Sequence, residues 1–245
     1  MTNILLIISL LALIPLAGCA EKHRPFDPVA AFKEAEDHMK DEKFLEARTK
    51  YQEIQEKSPD RSYDANIMLR IADTYFGGEN YDEALVEYRA FLKFHPVNRN
   101  AAYAQYQIAM CSFKQLPTID RDPAITRMAL REFETLIKKY PKSRYRKQAK
   151  KNAAICRDVL AQYELYVARF YFKKGAYGAA IGRLEKLLRD FPASMVEKDA
   201  LYYSGLAYRE VGEEGKALRV FTKLVKKYPS AEETVGSIIK ELRQK

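Results

Sequence analysis

All-α, with five helical hairpins in series and one more helix closing the C-terminal end: three features of the chain lead to this expectation. The first is a spacing. Five times an alanine is followed four residues later by a bulky residue and twelve later by a proline, as Ala47, Tyr51, Pro59; Ala84, Tyr88, Pro96; Ala129, Phe133, Pro141; Ala180, Leu184, Pro192; and Ala217, Phe221, Pro229. The second is a small residue twelve positions before that alanine in four of the sets, Ala35, Ala72, Ala168 and Gly205, with Ala109 taking the place in the third once an eight-residue insertion is removed. The third is composition: 47% hydrophobic residues, ten glycines and no tryptophan in 245 residues leave enough apolar material for a continuous core and no stretch that reads as disordered.

Two small residues in register on consecutive helices let the pair cross at close range, and a bulky residue one turn on fills the space beside the contact. Proline lacks an amide proton and clashes with the preceding turn, so it ends each second helix. This is the tetratricopeptide pattern, in which hairpins of about 34 residues stack on one another. The expected fold is an all-α superhelical array of five tetratricopeptide-like helical hairpins with a C-terminal capping helix. Proline intervals of 37, 45, 51 and 37 exceed the minimal unit, so the turns and some helices are expected to be extended.

Residues 1–18 pose a separate physical problem. Ile4 to Leu16 is an almost unbroken apolar run of thirteen, too short for a permanent membrane span but right for a signal peptide. It ends in Leu16-Ala17-Gly18-Cys19, which resembles the lipobox of bacterial lipoproteins. The expectation is a diacylglyceryl group on the Cys19 sulfur, cleavage before that residue and an N-acyl chain on the new terminus, with no other cofactor. More than one chain makes membrane attachment stable. Met1-Thr2-Asn3 departs from the lipoprotein pattern in carrying no lysine or arginine, which a start codon placed elsewhere would explain. The bland alternative is a short buried helix with an ordinary cysteine. Ala20, with no aspartate after the cysteine, points by the same resemblance to the outer membrane, on its periplasmic face. Residues 19–26 then form a lipidated short linker, and Asp27-Pro28 reads as a helix N-cap followed by proline at the first helical position.

Residues 27–141 hold repeats one to three and residues 142–245 repeats four and five with the capping helix. Gly77-Gly78 punctuates the turn within the second hairpin. Counting from the small residue of each first helix places Phe32 and Glu36, then Leu69, Asp73 and Phe76, then Tyr103, Tyr106, Met110 and Phe113 on the inward side. Such an aromatic lining suits an extended or hairpin peptide with apolar side chains; the same residues would serve equally as packing between hairpins. Cys111 and Cys156 lie on the first helices of repeats three and four, where buried apolar packing is the commoner fate than a disulfide. The terminal segment Glu232 to Arg243 puts Val235, Ile238, Ile239 and Leu242 on one face and charges on the other, as a cap requires.

Charge is uneven. Residues 1–100 carry 13 Lys and Arg against 17 Asp and Glu, a sum of −4, and residues 101–245 carry 29 against 16, a sum of +13. The sharpest run is Lys138, Lys139, Lys142, Arg144, Arg146, Lys147, Lys150 and Lys151. A run of this kind attracts polyanions; export removes nucleic acid as a partner and leaves lipid headgroups, an acidic protein surface or simple solvation. Catalysis has no visible residues. The three histidines, His23, His38 and His95, neither pair with one another nor with cysteine at metal-ligand spacing, and no Ser-His-Asp set or glycine-rich phosphate loop is present. The expectation is a non-enzymatic protein without a metal.

Several segments taken together resemble the BamD family of outer-membrane assembly lipoproteins. They are Asp120-Arg121-Asp122-Pro123 in the third repeat's insertion, Phe133-Glu134-Thr135-Leu136-Ile137 to Tyr140-Pro141, Tyr163-Glu164-Leu165-Tyr166-Val167-Ala168, and Lys174-Gly175-Ala176-Tyr177 through Arg183-Leu184-Glu185 to Leu188-Arg189-Asp190-Phe191-Pro192. With the lipobox and five repeats, the resemblance covers nearly the whole chain. It implies a lipid-anchored scaffold of the β-barrel assembly machinery, whose partners are unfolded outer-membrane β-barrel precursors, a POTRA domain of BamA and other Bam lipoproteins. It also implies that Arg183 meets BamA, with Arg189, Lys173 and Lys174 adding charge attraction. A rival reading keeps the scaffold and the lipid and changes the client to a secretin, as pilotins do, or to peptidoglycan enzymes; the five-repeat count and the Asp120 to Pro123 insertion argue against it.

Overall fold

The computed structural model describes residues 26–58 and 64–244. The signal segment, Cys19 with its proposed lipid, and Pro59 lie outside the described residues. Among those residues there are eleven α-helices and no strand. Ten of them form five antiparallel pairs: α1 (Pro28–Lys40) with α2 (Phe44–Lys57), α3 (Asp64–Gly77) with α4 (Tyr81–Phe94), α5 (Ala101–Lys114) with α6 (Ala124–Lys139), α7 (Arg146–Lys173) with α8 (Tyr177–Asp190), and α9 (Glu197–Glu210) with α10 (Glu214–Lys227). A 3-10 turn, Pro229–Ala231, leads into α11 (Glu232–Gln244), which closes the array.

The register read from the spacing holds at the atomic level. Ala35, Ala47, Ala72, Ala84, Ala109, Ala129, Ala168, Ala180 and Ala217 are all fully buried, and so are the bulky residues Tyr51, Tyr88, Phe133, Leu184 and Phe221. Burying one such large apolar side chain contributes about 1.5–3 kcal/mol. The closeness of the crossings shows at Gly205, where a Cβ atom would stand 2.4 Å from the Phe221 ring. Asp27 is the N-cap foreseen: its Oδ1 accepts from the amides of Val29 at 3.0 Å and Ala30 at 3.1 Å, ahead of Pro28.

Four of the five turns within hairpins share one closure. Residues 42, 79, 175 and 212 take a left-handed backbone, with φ of 58°, 60°, 73° and 77°. The next amide in each donates back to the carbonyl five residues earlier, Lys43 to His38, Asn80 to Tyr75, Ala176 to Tyr171 and Glu213 to Tyr208, at 2.9–3.0 Å. This is a Schellman ending, which satisfies a helix's last carbonyls. Glycine fills the left-handed position in hairpins four and five, and glutamate in hairpins one and two.

The third hairpin differs because of its insertion. Residues 115–123 replace the tight turn, and Asp122 ends them by accepting from the Ala124 amide at 3.0 Å and from Arg127 at 3.2 Å. The long proline interval that follows is explained by α7, whose 28 residues are twice the length of most of the others. Its first half packs Ala149, Ala153 and Cys156 against Ala109, Ala129, Phe133 and Leu136. Its second half packs Ala161, Leu165 and Ala168 against Leu184, Leu187 and Ala200. The helix therefore belongs to two successive layers. At the end, α11 buries Val235, Ile239 and Leu242 on the last hairpin and turns Glu232 and Arg243 outward, as expected of a cap.

Among the described residues the core clusters run from Phe26 beside the first hairpin to Leu242 of α11. Alternation of helix direction places the start of α1 and the junctions up to the start of α7 along one edge and the turns within hairpins one to three along the other; the double-length α7 then offsets the α8–α9 junction, where the Met195 amide donates to Asp158 at mid-α7 at 3.2 Å. None of the described helices is long and apolar enough to cross a membrane.

Candidate functional site

The inward side of hairpins one to three forms a cleft of about 490 Å³. Phe32, Leu69 and Tyr103, all read from the sequence as lining, form part of its wall. The rest is polar: Arg70 and Asp73 from α3, Asn66 from its first turn, and Arg99, Asn100, Arg144 and Tyr145 from the junctions between hairpins. The lining is thus less apolar than expected, because Asn66, Arg70 and Asp73 of α3 share it and junction residues close the cleft from one side.

A continuous hydrogen-bonded chain stiffens this wall. Arg70 grips Glu36 with Nε to Oε1 at 2.9 Å and Nη2 to Oε2 at 3.0 Å, a two-point fork. Its Nη1 lies 3.3 Å from Asp73 Oδ2. Tyr51 donates to Glu36, while Tyr88 and Tyr103 both donate to Asp73 Oδ1 at 2.6 Å. Gln107 donates to the Tyr103 hydroxyl at 3.1 Å. Burial pushes the Asp73 carboxyl above its usual value, and the two tyrosine hydroxyls and Arg70 only partly pull it back. The Tyr88 and Tyr103 hydroxyls are driven upward by burial and then by the Asp73 charge. Burial also works against the Arg70 charge, but Glu36 and Asp73 outweigh it and raise the guanidinium further.

Glu36 and Asp73 each follow the small residue of a first helix, and Tyr51 and Tyr88 are the bulky residues fifteen positions on. The equivalent pairs in the later hairpins are Met110 with Phe133, Arg169 with Leu184 and Leu206 with Phe221. The signal for the network, an acid after the small residue matched to a tyrosine, was therefore present in the repeat spacing.

Arg99 and Arg144 have no carboxylate within ion-pair distance among the described residues. Arg144 lies 4.8 Å over the Tyr145 ring and donates to its hydroxyl at 2.5 Å. Tyr145 in turn stacks on Tyr106, with centroids 5.0 Å apart and planes 18° from parallel. The other four residues read as lining are packed between helices. Phe76 meets Tyr81 edge-on, Tyr106 and Phe113 close on Phe133, and the Met110 sulfur receives a hydrogen bond from Asn152 at 3.3 Å.

A second cleft, of about 470 Å³, lies in the C-terminal half. Leu165, Tyr166, Arg169, Phe170 and Lys173 of α7 form one wall, Val196 and Asp199 another, and Ile119 of the insertion reaches its rim. Tyr166 and Phe170 are about half exposed. Nearby, Glu164 is a buried carboxylate bracketed by two cations, Arg183 Nη1 at 3.1 Å and Lys186 Nζ at 2.5 Å. Arg183 thus stands on the face of α8, neutralised on its inner side and open on its outer. Arg189 pairs with Asp190 at 3.2 Å, and Lys173 and Lys174 are exposed with no carboxylate partner among the described residues.

Cys111 and Cys156 are both free and buried, in different core clusters, and burial pushes each thiol up to about 12. Among the described residues no group of His, Cys, Asp or Glu is arranged to hold a metal ion.

A family model described as an outer membrane lipoprotein, YfiO, matches residues 26–224. Similar chains include the outer membrane protein assembly factor BamD of Caulobacter vibrioides, 27% identical over 222 residues that cover 87% of this chain and 72% of that one. The protein of that name from Neisseria gonorrhoeae is 28% identical over 228 residues, covering 86% and 85%. That from Rickettsia prowazekii is 26% identical over 220 residues, covering 88% of each. Among solved structures, the TPR2AB domain of yeast Sti1 in complex with pHSP90 aligns at 12% identity and a TM-score of 0.47, over 82% of this chain and 78% of that one, too loose a likeness to carry an argument.

Proposed function

The chain belongs to the YfiO family of outer membrane lipoproteins, and from that premise we propose that it is an outer membrane protein assembly factor of the BamD kind. In this reading it is a scaffold of the β-barrel assembly machinery, held by lipid on Cys19 at the periplasmic face of the outer membrane. It recognises unfolded barrel precursors, docks to a POTRA domain of BamA and works beside other Bam lipoproteins. The observation that carries the reading is the family match over residues 26–224, which spans nearly the whole array.

The action is positioning. A precursor strand held beside the insertase is raised in effective concentration there, and no bond is made or broken. The N-terminal cleft supports the client role: two arginines without carboxylate partners among the described residues and two asparagines, Asn66 and Asn100, share it with Phe32 and Leu69. That combination suits an extended chain end with aromatic side chains and a terminal carboxylate, which guanidinium groups bind well. The C-terminal half supports the docking role. Glu164 engages one end of the Arg183 fork, and the remaining N–H donors are available to a carboxylate on BamA. Lys173, Lys174 and Arg189 add attraction, each worth only about 0–1 kcal/mol at an exposed site.

Affinity purification of the tagged chain from membranes tests this function. Recovery of a POTRA-bearing barrel protein is expected, and recovery of a secretin or a cell-wall synthase in its place would transfer the scaffold to the rival client. The anchor has its own test: labelled palmitate is expected in the wild-type chain and not in Cys19→Ala, and labelling of the variant would refute lipidation there.

A further inference from the structure

The family reading leaves the basic run between α6 and α7 without a role. We propose that this junction is a second membrane contact, an electrostatic docking surface for anionic phospholipid headgroups.

Of the eight cations between Lys138 and Lys151, Arg144 lines the N-terminal cleft; of the other seven, the six lysines are exposed and Arg146 is half-buried. None of the seven has a carboxylate partner among the described residues. Elsewhere the chain pairs its cations readily, as Arg70, Arg89, Arg157 and Lys227 do with acids from other helices. Helix stability does not account for the cluster either. Lysines at the end of α6 suit the negative end of its dipole, but Arg146, Lys147, Lys150 and Lys151 crowd the positive end of α7, where cations are unfavourable. That first turn holds no acid and has no side-chain cap, whereas α4 and α9 open with two acids each. At the same junction Arg146 Nε and the Tyr140 hydroxyl are buried without a hydrogen-bond partner among the described residues. The unmatched positive potential calls for anions from outside the chain.

Two observations favour a lipid surface over an acidic protein. Six of the seven cations are lysine, the residue depleted from protein interfaces, where arginine and aromatic anchors are enriched. Between residues 126 and 154 no large apolar side chain is exposed that would serve as such an anchor. Compact charges on flexible stems suit mobile headgroups instead. The placement agrees: by the alternation of helix direction from α1 to α6 the junction falls on the same edge as the start of α1, and the eight residues from Cys19 to Asp27 reach at most about 28 Å. This orientation argument rests on the lipoprotein reading; the charge argument does not.

The test uses the chain from Ala20 onward, which keeps all eleven helices and lacks Cys19. Flotation is measured with vesicles of phosphatidylglycerol and phosphatidylethanolamine, against phosphatidylcholine alone, over a salt series. The expected result is binding only to the anionic vesicles, falling with salt, and at least tenfold weaker for Lys147→Glu/Lys150→Glu/Lys151→Glu. That triple change relieves the dipole clash, so its melting temperature should hold or rise. A control of equal charge change, Lys33→Glu/Lys114→Glu/Lys240→Glu, should keep most of the binding. Absence of binding to anionic vesicles would overturn the proposal and hand the patch to an acidic protein. Equal losses in both variants would overturn it too, leaving only net charge. Because Cys19 is absent, neither outcome bears on lipidation, which palmitate labelling decides separately.

Discussion

Hairpins one and two place tyrosine at the bulky position of the crossing, and hairpins four and five place leucine and phenylalanine there. The backbone arrangement is the same, but the consequences diverge. Tyr51 and Tyr88 reach through the crossing to Glu36 and Asp73, and with Arg70 and Tyr103 they build a fixed polar wall on the inward side. Leu184 and Phe221 stop inside the core and create no such wall; the charged pairs of that half, Arg183 with Glu164 and Lys227 with Glu197, link a cation on the second helix to a carboxylate on the first. One repeat position thus decides whether the crossing itself contributes hydroxyls to a hydrogen-bonded wall or only packs; the C-terminal cleft is walled by other positions of α7 and the α8–α9 junction. On the proposed function, client binding falls to the N-terminal half and partner docking to the C-terminal half.

The largest test of that contrast is at the crossings themselves. Phe221→Ala is expected to lower stability by about 3–5 kcal/mol, since it empties a fully buried site beside Gly205. Tyr88→Phe keeps the ring and removes one of the bonds to Asp73, which Tyr103 and Arg70 still hold, so a loss of about 0.5–1.5 kcal/mol is expected. Chemical unfolding followed by circular dichroism measures both, and equal losses would erase the distinction. Next in size, Gly205→Ala should cost about 1–3 kcal/mol by driving a methyl group into the Phe221 ring; an unshifted midpoint would contradict the close crossing.

Acid should act on the two halves in opposite directions. Burial raises the Glu197 carboxyl, but Lys227 and the Tyr228 hydroxyl outweigh it and leave it below the usual value. Its contribution is therefore full above the ordinary glutamate range, about 4.3, and is lost as pH falls through the lowered value. Asp73 is held above its ordinary range of about 3.9, so its ionisation costs stability that is regained as pH falls through the raised value. Amide exchange resolved by residue between pH 6 and roughly pH 3.5 should show α9 and α10 losing protection before α3 and α4. The reverse order would break the assignment.

The smallest effect is in the turns. Glutamate at a left-handed position is strained where glycine is not, so Glu79→Gly should raise stability by up to about 1 kcal/mol. Gly212→Ala, at the matching turn of the last hairpin, should lower it by a similar amount. Thermal melts check both signs.

Helix order and crossing register were legible because they follow from sterics that repeat: a small residue, a bulky one and a proline at fixed spacing. The cap was legible from a single amphipathic face. The cleft was only half legible. Phe32, Leu69 and Tyr103 follow from helix periodicity, but Arg99, Asn100 and Arg144 come from junctions whose path no periodicity describes. The 51-residue proline interval announced extra length in a turn or a helix, but not that it would be taken up by one uninterrupted 28-residue α7. The intrachain partner of Arg183, Glu164, lies nineteen residues away across a hairpin, beyond what local spacing reveals.

The division of labour between the halves is tested most directly by anisotropy of a labelled peptide that ends in an aromatic residue with a free carboxylate, titrated with the chain. Binding is predicted to weaken at least tenfold when the peptide is amidated or when the protein carries Arg99→Glu/Arg144→Glu, and to stay unchanged in Arg183→Gln. Binding indifferent to the terminal amide and to the two arginines, or abolished by Arg183→Gln, would contradict a client cleft in the N-terminal hairpins.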